Sequence, residues 1–600
     1  MKELAVLNKY FYKYRFRLLL GFFFVSVSNY FQVLQPQMIR EALDLVLENL
    51  GLYHQLDGLE LQGKFFGQLG GNLAFFGILV LILALLQGVF MYFMRQTIIV
   101  MSRLIEYDMR KEIFAQYERL DQAFYKRNKT GDMMARITED VSKVRMYLGP
   151  ALLYGINLVS LFVMVIYSML KVSPTLTLYS LAPLPVLSIS IYIVSEMINK
   201  KSEVIQKQLA RLNSLAQEVY SGIRVVKSYV QEKPMVKHFA EESEVFKEKS
   251  MSLAKVDALF FPLMVLLIGA STVITVYIGG LQTVKGTITP GNIAEFVIYV
   301  NMLTWPVTAI GWIASIIQQA SASQKRINEF LDTEPAVVNP VKGHQPAALK
   351  GHILFDNVTF TYPDTGITAL RAVNLELLPG QKMAVIGRTG SGKTTLADLI
   401  LRLYDVSSGT LSIDGVDVRR HDLNNLRNRI GYVPQDVFLF SDTVSANVAF
   451  GKAGAGQEEI ETFTKYASVY EEIQELSEGF DTVLGERGVT LSGGQKQRVS
   501  IARALIKQPD IVILDDCLSA VDTRTEKQIL AYFNEQLADK TAIIITHRIY
   551  SLLQFDKIIV LEDGRIVEEG THEELLGKKG YYSDIYEKQI VEEGNNAAQN

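Results

Sequence analysis

Eight consecutive residues, Gly387-Arg388-Thr389-Gly390-Ser391-Gly392-Lys393-Thr394, carry the spacing G-x-x-x-x-G-K-[ST]. In that pattern, glycines let successive backbone N–H groups converge on a phosphate at a helix N-terminus. The lysine brings an ammonium to the β- and γ-phosphates of a nucleotide, and the Thr394 hydroxyl can ligate the Mg²⁺ that bridges the phosphate oxygens. Thr395 extends the same turn. Much later, Ile511-Val512-Ile513-Leu514-Asp515 reads as a buried strand ending in a carboxylate, the second element of such sites, from which Asp515 can hold the Mg²⁺ shell. The next residue, Asp516, stands where a general base for an attacking water is expected. The combination predicts binding and cleavage of a nucleoside triphosphate.

The elements that must position these residues are legible around them. Met383-Ala384-Val385-Ile386 forms a short buried strand leading into the glycine-rich turn, and Ile353, Phe355, Val358 and Phe360 alternate as a half-buried strand does. Strands then alternate with helical patterns to the end of the chain. Residues 333–350, with Pro335, Pro340, Gly343 and Pro346, have neither period and read as a linker.

The first half has a different character. The 600-residue chain is 49% hydrophobic, and much of that content lies in six runs near 18–36, 73–94, 149–170, 176–196, 258–280 and 293–317, each near the roughly 20 apolar residues that span a bilayer. Ser173-Pro174 breaks the helix between the third and fourth runs, which should form a hairpin. The first run ends in Leu34-Gln35-Pro36 without a small-residue cleavage site and reads as an uncleaved span.

Lys and Arg crowd the loop between the second and third spans, from Arg95 to Arg145, and the long loop 197–257, whereas the loop between the first two carries Glu41, Asp44, Glu48, Asp57 and Glu60. The basic loops and the N-terminus therefore belong inside. Leu209, Leu212, Leu215, Ala216 and Val219 keep helical spacing, so the spans should continue as helices into the cytosol.

Asn29, Gln32 and Gln35 in the first span and Glu295 and Asn301 in the sixth are polar residues within spans. They are candidates for substrate contact, or equally for helix-to-helix hydrogen bonds, and Glu295 is expected near a span end within reach of water. Aromatic residues such as Phe22, Phe23, Tyr30, Trp305 and Trp312 either line a hydrophobic pocket or face lipid and other helices. The net charge of −4 gives no sign of a nucleic-acid partner, and the single cysteine, Cys517, excludes an intrachain disulfide.

Leu491-Ser492-Gly493-Gly494-Gln495 resembles the signature of the ABC transporter superfamily. Tyr362, the phosphate loop, Gln435, Gly485-Glu486-Arg487-Gly488, Asp515, Ser519-Ala520-Val521-Asp522 and His547 are similar, in order, to the remaining motifs of its nucleotide-binding domain. Thr130-Gly131-Asp132 with Arg136 and Asp140, and Gly222 to Lys227 with Glu232, look like the two intracellular coupling loops of ABC exporters. The fusion of membrane and motor parts in one chain points to export.

The resemblance implies an α-helical six-span transmembrane domain with long cytosolic helix extensions plus an α/β P-loop NTPase domain, in the cytoplasmic membrane with the motor in the cytosol. The expected boundaries are 1–332 for the transmembrane domain, 333–350 for the linker, 351–590 for the nucleotide-binding domain and 591–600 for a flexible tail. ATP and Mg²⁺ are the implied ligands. Tyr362 would stack on adenine, Gln435 would reach Mg²⁺ and the attacking water, and His547 would contact the γ-phosphate. Ser492, Gly493, Gly494 and Gln495 would serve the ATP of a partner chain, with Ser519 and Asp522 in the adjoining D-loop.

One position departs from the family: hydrolytically competent members carry Glu where this chain has Asp516. The missing methylene retracts the carboxylate by about one bond, which should slow hydrolysis and spare binding. With an intact signature, this resembles one subunit of a heterodimeric exporter whose partner supplies the Glu; a homodimer that tolerates Asp is the alternative. The expected activity is ATP-driven efflux of hydrophobic or amphipathic small molecules. Lipid or lipid-linked glycan flipping, and an ATP-gated channel or regulatory subunit, are the competing expectations.

Overall fold

The computed structural model describes residues 2–485, 488, 490–536, 539–547 and 555–597. The chain divides into two compact units, one of residues up to Gln116 with Gly131–Thr333, the other of Tyr117–Thr130 with everything from Glu334 onward.

Among the described residues, six helices long and apolar enough to cross a membrane run through the first half: α1 (Arg15–Gln55), α2 (Glu60–Arg119), then, after the short α3 (Gln122–Arg127), α4 (Thr130–Val172), α5 (Pro174–Ser221), α6 (Glu232–Val284) and α7 (Pro290–Leu331). The longest has 60 residues. At 1.5 Å per residue it reaches about 90 Å, three times the hydrocarbon thickness, so the spans do continue as cytosolic helices. The break between α4 and α5 falls where Ser173-Pro174 predicts it. Ser173 is extended (φ −156°, ψ 110°), its hydroxyl accepts from the Leu176 N–H, and Pro174 takes the first helical position, where its missing N–H costs nothing.

The polar residues of the spans mostly join helices. Asn29 donates to the Asn157 carbonyl at 3.3 Å and Gln35 to Gln87 at 2.7 Å, while Asn301 donates to Val297 of its own helix. Glu295 corrects the expectation that water reaches it: it is fully buried and paired with Arg40 at 3.1 Å. The reason lies in how α7 starts. Asp44 of α1 accepts from the Gly291 N–H and the Thr289 hydroxyl, Gln37 donates to Tyr299, and Tyr299 donates to the Val33 carbonyl, so the first turns of α7 lie along one face of α1. Phe22, Phe23, Tyr30, Trp305 and Trp312 keep exposed surface in the chain, and Tyr154 packs edge-on against both tryptophans.

The expected coupling residue Asp140 is buried inside the first unit, where it accepts from Ser323 at 2.8 Å and from the Arg326 guanidinium. Its role there is to tie α4 to α7. Residues 117–130 group with the second unit. Gly222 precedes a separate short helix, Ile223–Ser228, and Lys227 pairs with Glu232 at 3.3 Å.

In the second unit, β1 (Ile353–Thr361), β2 (Thr368–Leu377), β4 (Ser408–Ile413) and β5 (Val416–Asp417) form an antiparallel sheet in the order β2-β1-β4-β5. A six-stranded sheet runs β10-β9-β3-β8-β7-β6. It comprises β3 (Lys382–Gly387), β6 (Ile430–Val433), β7 (Ile511–Asp515), β8 (Thr541–Ile545), β9 (Lys557–Glu562) and β10 (Arg565–Gly570), parallel except for the last. Every residue of β7 and β8 is buried. Strands covered on both faces need continuous apolar runs, which is why Ile511–Leu514 shows no alternation.

Helices α8 (Lys393–Ile400), α9 (Gly493–Leu505), α10 (Thr523–Gln536) and α11 (Tyr581–Ala597) complete the functional frame. α11 carries helix into the stretch read as a flexible tail. The irregular segment after Thr333 is held down by hydrogen bonds of Ala336 and Val337 to Asp121, of Leu349 to Asp510 and of Lys350 to Asp414.

Candidate functional site

β3 ends at Gly387 and α8 begins at Lys393, so the glycine-rich loop is the turn from a buried strand into a helix N-terminus. Gly392 caps that helix with φ 105°, and a Cβ there would lie 2.5 Å from the Ala369 carbonyl oxygen. Both the left-handed backbone and the close approach demand glycine. Lys393 is buried and its ammonium donates to the carbonyls of Gly387 at 2.8 Å and Arg388 at 2.9 Å, bracing the loop from inside. Burial holds its pKa below the usual lysine value, with Asp515 and Asp516 acting in the opposite sense.

Asp515, at the end of β7, is 1% exposed. The Thr394 side chain hydrogen-bonds it, and burial pushes its pKa up. Its Oδ2 is buried with no partner. A hydroxyl beside a carboxylate with one unsatisfied oxygen is the donor set a hard divalent cation takes, so these residues fit Mg²⁺. Among the described residues no group of three or more His, Cys, Asp or Glu could hold a metal by itself. The rest of the shell would come from phosphate oxygens, water and Gln435, which follows β6 and is exposed.

Asp516 adopts φ 46°, a left-handed conformation that Asp tolerates better than most residues. Its N–H donates to the Ile545 carbonyl at 2.9 Å and its carbonyl accepts from the Ser519 hydroxyl at 3.0 Å. The backbone is thus pinned on both sides while the carboxylate borders the cavity.

That cavity, about 1090 Å³, gathers Tyr362, Thr389, Gly390 and Gly392 to Thr395 of the loop, Gln435, Asp515, Asp516 and His547. The predicted nucleotide residues therefore come together from β1, β3, β6, β7 and β8. The half-buried Tyr362 is fixed by a 2.8 Å hydrogen bond between its hydroxyl and that of Thr395 and by edge contacts with Phe360 and Tyr404. At the other end, the His547 carbonyl accepts from Gln589 of α11, and Arg388 lies over the Tyr581 ring of the same helix.

The signature residues do not line this cavity. Ser492 caps α9 by accepting from the Gln495 N–H, and the Gln495 side chain accepts from the Ser492 N–H, a reciprocal capping box. Gln495 also donates to Glu472, which Arg498 grips with two charged hydrogen bonds. Gly494 allows the Ala520 carbonyl to approach, since a Cβ would come within 2.8 Å of it. Gln497 bonds both Ser519 and Ala520, so the signature helix and the Ser519–Asp522 turn form one fixture. Asp522 caps α10 through the N–H groups of Arg524 and Thr525. Of the Gly485–Gly488 motif, Glu486 and Arg487 lie outside the described residues.

Lys126 and Asp398 belong to none of these motifs. Lys126, on α3, lines the cavity far in sequence from every other wall residue. Asp398, on the inner face of α8, is 9% exposed and burial pushes its pKa up to about 6, with Lys126 pulling the other way. Because the folded state holds this proton more tightly than the unfolded chain, Asp398 costs stability progressively from about pH 4 to pH 6, on the order of 3 kcal/mol once ionised. Asp398→Asn is therefore expected to raise the unfolding temperature of the ATP-binding domain at pH 7.5, with the gap to the parent protein closing as the pH falls toward 4. Thermal unfolding followed at three pH values checks this.

Two family models match the chain: the ABC transporter transmembrane region over residues 18–307 and the ABC transporter family over residues 370–519. Among its relatives is the probable multidrug resistance ABC transporter ATP-binding/permease protein YheI of Bacillus subtilis, 37% identical over 88% of this chain and 91% of that protein. The multidrug resistance-like ATP-binding protein MdlA of Escherichia coli is 38% identical over 81% and 82%, and an ATP-dependent lipid A-core flippase of Syntrophus aciditrophicus is 33% identical over 86% and 85%. A solved structure of a bacterial Atm1-family ABC exporter with ATP bound has the same fold, with a TM-score of 0.77 at 24% identity over 96% of this chain and 99% of that one. With both halves matched by family models and the phosphate loop, Walker-type carboxylate and signature helix in place, the chain belongs to the ABC transporter superfamily, as a multi-pass membrane protein with a cytosolic ATP-binding domain.

Proposed function

We propose that the chain is one half of an ATP-driven exporter that moves hydrophobic or amphipathic small molecules out across the cytoplasmic membrane, and that its own ATP site binds more readily than it cleaves. The observation that carries the second part is Asp516: a short carboxylate at the base position, beside an otherwise complete set of nucleotide residues. The names of the Bacillus and Escherichia relatives support a multidrug substrate class, and the flippase relative supports lipid as the alternative.

In this reading Tyr362 stacks the base, and the N–H groups of residues 389–394 with Lys393 hold the β- and γ-phosphates. Thr394, Asp515 and Gln435 hold Mg²⁺, which when bound neutralises charge on the phosphate oxygens. Asp516 accepts the proton of the attacking water, and His547 contacts the γ-phosphate. Ser492, Gly493 and Gly494 present the N-terminus of α9 to the ATP of a second half-transporter, where the capping box keeps that terminus rigid. A partner with Glu at the base position would make this chain's intact signature complete the faster of two unlike sites. ATP bound across the pair would favour closed motors and an outward-facing pathway.

Inverted membrane vesicles containing the chain and its partner should accumulate an amphipathic dye on addition of ATP, and Lys393→Ala in this chain should reduce the rate. ATP binding with no dye accumulation would favour the gating alternative.

A further inference from the structure

Lys126 reaches the nucleotide cavity from α3, a helix of the segment 117–130 that is covalently continuous with α2 and α4. The helix is firmly seated. Asp121 caps it through the Phe124 N–H, and the same carboxylate accepts from Ala336 and Val337; Ala123 is buried in the core that contains Val358, Phe360, Leu370 and Tyr404. This places the exposed Lys126 with its ammonium 4.5 Å from the centroid of the Tyr362 ring and 5.3 Å from that of Tyr404. Both distances are within the range at which a cation is held by an aromatic face.

Tyr362 is the ring on which a nucleobase would stack, so a cation over it competes for the face a base must occupy. The lysine stem has four rotatable carbons and three N–H donors, which lets the ammonium swing from the ring to the edge of an incoming base. Purine edges offer ring-nitrogen acceptors, and guanine adds the adjacent O6 and N7 pair that ammonium groups contact well. Nothing of the phosphate loop needs Lys126: Lys393 already supplies the buried ammonium there.

We infer that Lys126 is a base-contacting specificity residue, which lies over the Tyr362 ring and donates to the purine edge when a nucleotide binds. It rests on the assignment of the cavity as the ATP site and adds to it a determinant of base preference carried by a segment of the chain's first half. In the filled site the ammonium gains one charged hydrogen bond and gives up a solvent-exposed ring contact, so its net effect is modest and falls on the base.

The test is equilibrium binding of ATP, GTP and inorganic tripolyphosphate to the full chain carrying Lys126→Met, which keeps the apolar stem, and Lys126→Arg, which keeps a cationic donor. The Met variant should bind ATP roughly threefold to tenfold more weakly, GTP more weakly still, and tripolyphosphate unchanged, while the Arg variant recovers most of the purine affinity. Unchanged purine affinities would overturn the inference. So would an equal loss for tripolyphosphate, which would make Lys126 a diffuse charge near the phosphates. Lys393→Ala is the control: if it fails to weaken tripolyphosphate, the site assignment itself is wrong, whatever Lys126 does.

Discussion

Lys393→Ala is expected to weaken binding of a labelled ATP analogue at this chain's site by roughly a hundredfold, the loss of about two hydrogen bonds to charged phosphate oxygens. The same ammonium spans the carbonyls of Gly387 and Arg388, so the variant also loses the brace that shapes the loop. Lys393→Arg should do little better. Its larger planar head cannot occupy the buried position between those two carbonyls, so a point charge of the right size is what the site requires. Titration of the analogue into the detergent-purified protein measures the effect, and an unchanged Kd at that site would contradict the assignment.

Asp516→Glu is expected to act in the opposite direction, raising ATP turnover of the chain by at least about tenfold. A positioned base contributes roughly 10² to 10⁴ to such reactions, and a shortfall of one methylene forfeits part of that. The backbone at Asp516 is set at φ 46° and pinned by Ile545 and Ser519, so the shorter side chain has little freedom to recover the lost reach by moving its main chain. The left-handed backbone also suits Asp better than Glu, which should temper the gain and cost the variant some stability. Asp516→Asn should remove whatever turnover the chain has while leaving nucleotide affinity near that of the parent. Steady-state phosphate release together with nucleotide titration separates the two effects.

The sequence shows the site more fully than the scaffold around it. The phosphate loop, Asp515 and the signature announce themselves because each needs a fixed local spacing, and the structure places the first two around one cavity and the third outside it. The six spans are legible because hydrocarbon demands long apolar runs, and the α4–α5 break because Ser173-Pro174 cannot continue a helix.

What escapes a sequence reading are contacts between distant segments. Glu295 looks like a water-exposed carboxylate near a helix end; only the seating of Asp44 on Gly291 and Thr289 shows that α1 covers it and supplies Arg40. Asp140 looks like part of a cytosolic loop, and becomes a buried tie to Ser323 and Arg326 once α4 and α7 lie side by side. Lys126 is one of many lysines in a basic loop, and no local pattern announces that α3 delivers it to Tyr362. The capping box at Ser492 is legible from the S-x-x-Q spacing.

This chain's own ATP site is expected to be slow, with fast turnover requiring a second, different half-transporter. ATP hydrolysis by the purified chain without that partner tests it most directly. Slow turnover is expected of the chain alone, despite saturable ATP binding, with a large increase when a half-transporter with Glu at the base position is added. Vigorous turnover by the chain alone, abolished by Asp516→Asn, would contradict it.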